Sequence, residues 1–521
     1  MKKVIDLNLG FSDAQNYSQR SYKQFFSKVF VKNQFLDELL EGNKYFLIGE
    51  KGTGKTAYAT FLSNNNYKEN NSSLKFISGT DYEKFYELKQ SGKIDISGYT
   101  DIWKVILLLL VSKQIVDSET AVASFFKSDI KTIMHAIEEY YNKAFSPEII
   151  TAFKIVDKSE LAAKLICKYV ELGAGGENTV EFSEQRLQMN LFYIEKKFSD
   201  AIKNIKLRQN INLFIDGIDI RPSSIPYVNY IECIKGLANA CWSLNTTLFA
   251  NIKDSQGMIK VVLLVRPDIF NSLSLQNATN KLQDNSVYLD WRTTYSDYKY
   301  SFLYDMAKKL LQYDQEDFEG DIWEKYLPWE NKNGAKYTDS AFVEILRISL
   351  SRPRDIQQIL KFLQNITKRR KNDADTFLYE LFISDEFQNA YSDYFLSSLK
   401  DQLSFYYSDV DFRHFIKFFD LFPNVSFSFE EYKTVYQKYT DYILENAEEI
   451  PEFVDDLKKF LQLLYDSNII LAKENTENPF YHFSYREKSS SNIAPEVPIG
   501  ENYTYKFHYG LYKKVKFGRY N

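Results

Sequence analysis

The sequence predicts an α/β fold: a doubly wound parallel sheet with a helical insertion, followed by a helical region and a C-terminal α+β unit. Three observations predict it. An apolar run, Phe46-Leu47-Ile48, passes into a glycine-rich loop, Gly49-Glu50-Lys51-Gly52-Thr53-Gly54-Lys55-Thr56, and at once into a helical pattern at 57–62. Two β-type runs, Ile211-Asn212-Leu213-Phe214-Ile215-Asp216 and Ile259-Lys260-Val261-Val262-Leu263-Leu264-Val265, end in a carboxylate and in Arg266-Pro267. Helical stretches separate these strands, an alternation that gives a parallel sheet covered on both faces.

The lead-in, 33–42, has helical apolar spacing and stops at Gly42. Asn70-Asn71-Ser72-Ser73 reads as a surface turn, and Leu74-Lys75-Phe76-Ile77 as a second strand. Residues 101–115 form an apolar helix around Trp103, and 117–205 read as a mostly helical insertion containing the glycine cluster 172–178. Val287-Tyr288-Leu289-Asp290-Trp291 is a further strand. These segments make up a first domain, 1–296.

From 297 helical patterns dominate, giving a helical lid at 297–375 and a C-terminal domain at 376–521. In the last stretch an amphipathic helix at 453–465 precedes Ile469-Ile470-Leu471-Ala472. The aromatic run 480–485 and a strand at 503–508 then pair back, which suggests a winged-helix-like unit.

A chain of 521 residues with 44 % hydrophobic and 26 % charged residues is long enough for several cores and is globular in composition. Its net charge of −5 leaves nucleic acid only a local basic patch, for which Lys506 and 513–519 are the candidates. Three cysteines (Cys167, Cys233, Cys241) without metal-ligand spacing fit a reduced, cytoplasmic setting. The N-terminus lacks a signal-peptide core, and the longest apolar run, 105–111, is far short of the ~20 residues that span a bilayer.

The loop carries the chemistry. A G-x-x-x-x-G-K-T sequence between a strand and a helix turns backbone N–H groups toward phosphate oxygens at the positive end of the helix. Gly49, Gly52, Thr53, Gly54, Lys55, Thr56 and Ala57 would line that cradle, with Lys55 reaching the terminal phosphates and Thr56 ligating Mg²⁺. The implied ligand is ATP with Mg²⁺. Asp216, at the tip of its strand, would hold the same metal. Hydrolysis needs a group that orients or deprotonates water; Asp219 is the first candidate and Glu232 a weaker one. Arg266 would sense the terminal phosphate, because a guanidinium is always charged and planar. Arg354, just inside a helix opened by Pro353, would reach the phosphates from the lid. Arg292 and Arg352 are candidates for arginines acting across a subunit boundary.

Together these motifs resemble the STAND-like and origin-recognition-like branch of the AAA+ P-loop ATPases, and more narrowly bacterial P-loop ATPases of anti-phage defence. The resemblance runs over about 20–370: Gly49 to Thr56 as Walker A, Phe214-Ile215-Asp216-Gly217-Ile218-Asp219 as Walker B, Val265-Arg266-Pro267 as sensor 1, and Arg352-Pro353-Arg354-Asp355 as the lid motif. It implies an ATPase switch that assembles with itself or with a separately encoded effector. The alternative is a DNA-binding ATPase of origin-recognition or loader type acting through the C-terminal domain. Two departures stand out: Gly217 where many AAA+ proteins carry Glu, and Ser351 where these families often carry Gly.

Overall fold

The structure is a computed structural model. It describes residues 2–77, 99–117, 205–315, 319–329, 340–370 and 373–513, with isolated helical positions between 82 and 90 and between 192 and 203. The insertion at 118–191, with its glycine cluster, Cys167 and His135, and the basic end at 514–521 lie outside the described residues.

Two compact units emerge. The sheet unit comprises Gln34–Ile48 and Lys55–Tyr288; the helical unit comprises Met1–Asn33, Gly49–Gly54 and Leu289–Asn521.

The sheet unit is α/β. Its five strands are β1 Phe46–Ile48, β2 Asn70–Phe76, β3 Asn210–Asp216, β4 Ile259–Val265 and β5 Ser286–Tyr288. They run parallel in the order β2-β3-β4-β1-β5. β1 and β4 are buried at every position, as apolar runs covered on both faces should be. The chain leaves β1 leftward in this order, to β2, but leaves β2, β3 and β4 rightward. Right-handed crossovers therefore send the helix Lys55–Asn64 over one face and the helices that follow the other strands over the opposite one. Tyr99–Asp117 and Tyr227–Ser243 pack on each other there, Gly236 lying so close to Tyr99 that a Cβ would collide with it. The chain thus diverges at the carboxyl ends of β1 and β4, where open α/β sheets bind ligands.

One expectation is corrected. Asn70 to Ser73 is not a turn but the first half of β2, paired in register with Asn210 to Leu213. Backbone pairing with β3 overrides the turn composition. The polar side chains find partners too: the Asn212 amide donates to Asn70 Oδ1 at 3.0 Å, and Gln114 Nε2 donates to the Asn71 carbonyl at 3.0 Å.

The helical unit holds most of the remaining helices and a four-stranded antiparallel sheet, ordered β6-β9-β7-β8, from β6 Ser426–Ser428, β7 Ile470–Glu474, β8 Tyr481–His482 and β9 Tyr503–Phe507. The helix Pro353–Arg369 buries Ile356, Ile359, Leu360, Leu363 and Ile366 on one face, a spacing that makes a single apolar stripe. Ser408 and Ser428 open their helices with reciprocal capping boxes to Asp411 and Glu431. Aromatic rings fill the core below the small sheet; Phe418 and Phe460 meet edge to face at 4.7 Å. No helix among the described residues is long and apolar enough to cross a membrane.

Candidate functional site

In the sheet unit three strand ends come level. Ile48 pairs with Val265 and Ile215 with Leu263, so Asp216 ends β3 within one residue of the ends of β1 and β4. Thr56, in the first turn of the helix Lys55–Asn64, donates its hydroxyl to Asp216 Oδ2 at 2.6 Å. The Gly217 N–H donates to Asp216 Oδ1 at 2.8 Å. Lys55 is 8 % exposed and Asp216 6 %, and the Lys55 charge favours the Asp216 carboxylate. Burial is nevertheless the larger influence and, with the Asp219 charge, raises the Asp216 carboxyl above the ordinary carboxylate range.

Gly217 explains a departure seen in the sequence. Its φ is +94°, and a Cβ there would collide with the backbone carbonyl of Ile77. A side chain, and so a glutamate, has no room at this position. The nearest following acid is Asp219, half-buried in the turn after β3 and close enough to bias Asp216 electrostatically. The buried Tyr230 hydroxyl holds that turn, shared between the carbonyls of Ile218 at 3.1 Å and Ile220 at 3.2 Å. Nothing local in the sequence marked Tyr230 for this part.

Arg266 follows β4 and caps the helix Pro267–Ser272. Its guanidinium is fully buried and forks onto the Asp268 carboxylate, with Nε at 3.0 Å from Oδ1 and Nη2 on Oδ2. Glu232 lies within the helix Tyr227–Ser243. Cys233 and Cys241 are buried thiols outside any disulfide; burial pushes Cys241 up to about 12, and its thiol donates to the Val261 carbonyl at 3.2 Å.

The segment Gly49–Gly54 belongs to the helical unit, which grips it by its carbonyls. Arg352 Nη1 donates to the Lys51 carbonyl at 2.8 Å, the Arg354 N–H to the Gly52 carbonyl at 3.3 Å, and Trp291 Nε1 to the Thr53 carbonyl at 2.8 Å. Gly52 has φ +90°, and a Cβ would press on Arg354 Cβ at 3.2 Å. Thr53 Oγ1 closes the loop onto the Glu50 carbonyl at 2.8 Å, and Gly49 packs against that hydroxyl. Two side chains of the segment are also engaged: Lys51 with Asp401 at 2.7 Å and Glu50 with Lys488 at 2.8 Å.

Arg352 is committed at its other edge to Asp355, with both contacts at 2.9 Å; Asp355 also accepts from the Leu350 N–H at 3.0 Å and the Tyr394 hydroxyl at 2.8 Å. Ser351 sits at φ +52°, a left-handed conformation that glycine adopts more readily. Arg354 lies half-buried in the first turn of its helix. Arg292 is bound to Asp290 and to the Arg486 carbonyl. Trp291 and Lys488 were not expected from the sequence.

The donor set fits Mg²⁺. A hard cation bound with phosphates takes one or two carboxylates, hydroxyls and water rather than an all-protein cage. Asp216 and Thr56 supply one carboxylate and one hydroxyl side by side, and a cation there would relieve the cost of burying the carboxylate. Among the described residues no cluster of three or more His, Cys, Asp or Glu could hold a metal.

Comparison with protein-family models and with curated proteins returned no match.

Proposed function

We propose that this chain binds and hydrolyses ATP with Mg²⁺ as a switch of the STAND/AAA+ type, working in anti-phage defence with a separately encoded effector. One observation carries the nucleotide reading: the Thr56 hydroxyl and the Asp216 carboxylate meet at 2.6 Å from distant parts of the chain, beside the Lys55 charge. An ammonium, a hydroxyl and a buried carboxylate at the carboxyl ends of parallel strands suit a triphosphate and its metal. The defence setting rests on the resemblance of the motifs alone.

In this reading Lys55 binds the terminal phosphates, Thr56 and Asp216 hold the metal, and Asp219 orients water. Gly217 has no room for a carboxylate, which favours slow turnover and a switch over a fast engine. Arg266 would sense the terminal phosphate after leaving Asp268. We read the helix Leu457–Asp466 with β7, β8 and β9 as winged-helix-like. The hairpin tip at 474–482 bears Glu474 and Glu477 and neither Lys nor Arg, which disfavours docking on DNA phosphates.

Phosphate release from Mg–ATP tests the reading. The purified chain should hydrolyse ATP only with Mg²⁺. Asp216→Asn should lose at least about tenfold in rate, and Asp219→Asn should bind ATP normally but turn it over more slowly. Parental rates in both variants would refute the assignment.

A further inference from the structure

A loop meant to cradle phosphates here carries an acid of its own. Glu50 is half-buried, 14 % exposed at its side chain, and a carboxylate in a loop that takes phosphate would be penalised by desolvation and by repulsion. The structure supplies a counter-charge from 438 residues away. Lys488 Nζ donates to Glu50 Oε1 at 2.8 Å and to the Asp466 carbonyl at 3.2 Å, and its side chain is 4 % exposed. Asp466 ends the helix Leu457–Asp466, and the carbonyl end of a helix favours a cation. Lys488 itself caps the short helix Ser484–Glu487, so its place is fixed from both sides.

We propose that Lys488 is a positioning residue for the loop: it neutralises Glu50, so that the segment Gly49–Gly54 accepts a nucleoside triphosphate instead of repelling it. This rests on the nucleotide reading above. It also makes nucleotide affinity depend on a residue of the C-terminal region, so a partner that displaced the segment around Lys488 would loosen the nucleotide without touching it.

The proposal predicts opposite signs for the two partners. Mg–ATP affinity is measured for the full chain and for Lys488→Met, Glu50→Gln, the double variant and Lys488→Arg. Lys488→Met should weaken binding roughly tenfold, within the usual range of coupling between sites. Glu50→Gln should bind as tightly as the parent or more tightly. The double variant and Lys488→Arg should return to within about threefold of the parent. A pair acting only as a fold staple would weaken binding equally from either side, and that result overturns the proposal, as does unchanged affinity in Lys488→Met. Should Lys488→Met fail to fold, Glu50→Gln and the double variant still give the sign. Binding that Lys55→Ala abolishes, but that shows no opposite signs at 50 and 488, would overturn the counter-ion and leave the nucleotide reading standing. A folded parent that binds no Mg–ATP would overturn both.

Discussion

The Thr56 hydroxyl donates to the Asp216 carboxylate at 2.6 Å, across 160 residues of chain. A threonine in a first helical turn and an acid at a strand tip can both face water. Their meeting in a buried place, with the Asp216 carboxyl raised by burial and by Asp219, places an anion where the fold alone would prefer a neutral group.

Asp216→Asn should therefore stabilise the ligand-free protein near pH 7. The sign follows from the raised carboxyl. Its folded form keeps the proton to higher pH than the unfolded chain, so its contribution is full below the ordinary carboxylate range and is lost as pH rises through the folded value. Melting temperatures of parent and variant should converge near pH 4 and separate toward pH 7, the variant melting higher. A variant that melts lower at pH 7 would contradict this.

Gly217→Ala should cost roughly 2–4 kcal/mol of stability, combining a left-handed backbone with a backbone collision. Denaturant unfolding of the variant reads the loss directly. A change below about 0.5 kcal/mol, the scale of an ordinary surface substitution, would show that the turn after β3 can rearrange and that a side chain is tolerated beside Asp216.

Lys260 offers a pH test remote from the site. Burial lowers its amine to about 7, and it donates to the Leu39 and Glu41 carbonyls at 2.7 Å each. Between about pH 7 and its ordinary value of 10.5 the folded amine is neutral while the unfolded one holds a proton. Stability contributed here thus rises with pH through that window, by at most about 1.4 kcal/mol per unit. Comparing unfolding free energies of parent and Lys260→Met at pH 7 and pH 9 isolates the slope; equal slopes would contradict it.

Much of the sheet was legible because a strand buried on both faces must be a continuous apolar run. Leu213-Phe214-Ile215 and Val261 to Val265 could be little else. β2 was half hidden because it is an edge strand, and its Asn and Ser residues bond to Asn212 and Gln114, partners that its local sequence cannot show. β6 has three residues and owes its existence to β9. The same division holds at the site. Lys55, Thr56 and Asp216 announce themselves by spacing and by position at strand ends. The groups that hold the loop do not, since Trp291, Arg352 and Lys488 reach it over 238, 301 and 438 residues. Arg266 reads as a free sensor in sequence, but Asp268, two residues on, engages its guanidinium.

In the proposed site Lys55 binds phosphate. Isothermal titration of the purified chain with Mg–ATP, beside Lys55→Ala, tests it most directly. Binding by the parent should be saturable and Mg²⁺-dependent, with at least about a tenfold loss in the variant, the equivalent of about 1.4 kcal/mol. Equal affinity in the two proteins, or no binding by a folded parent, would contradict it.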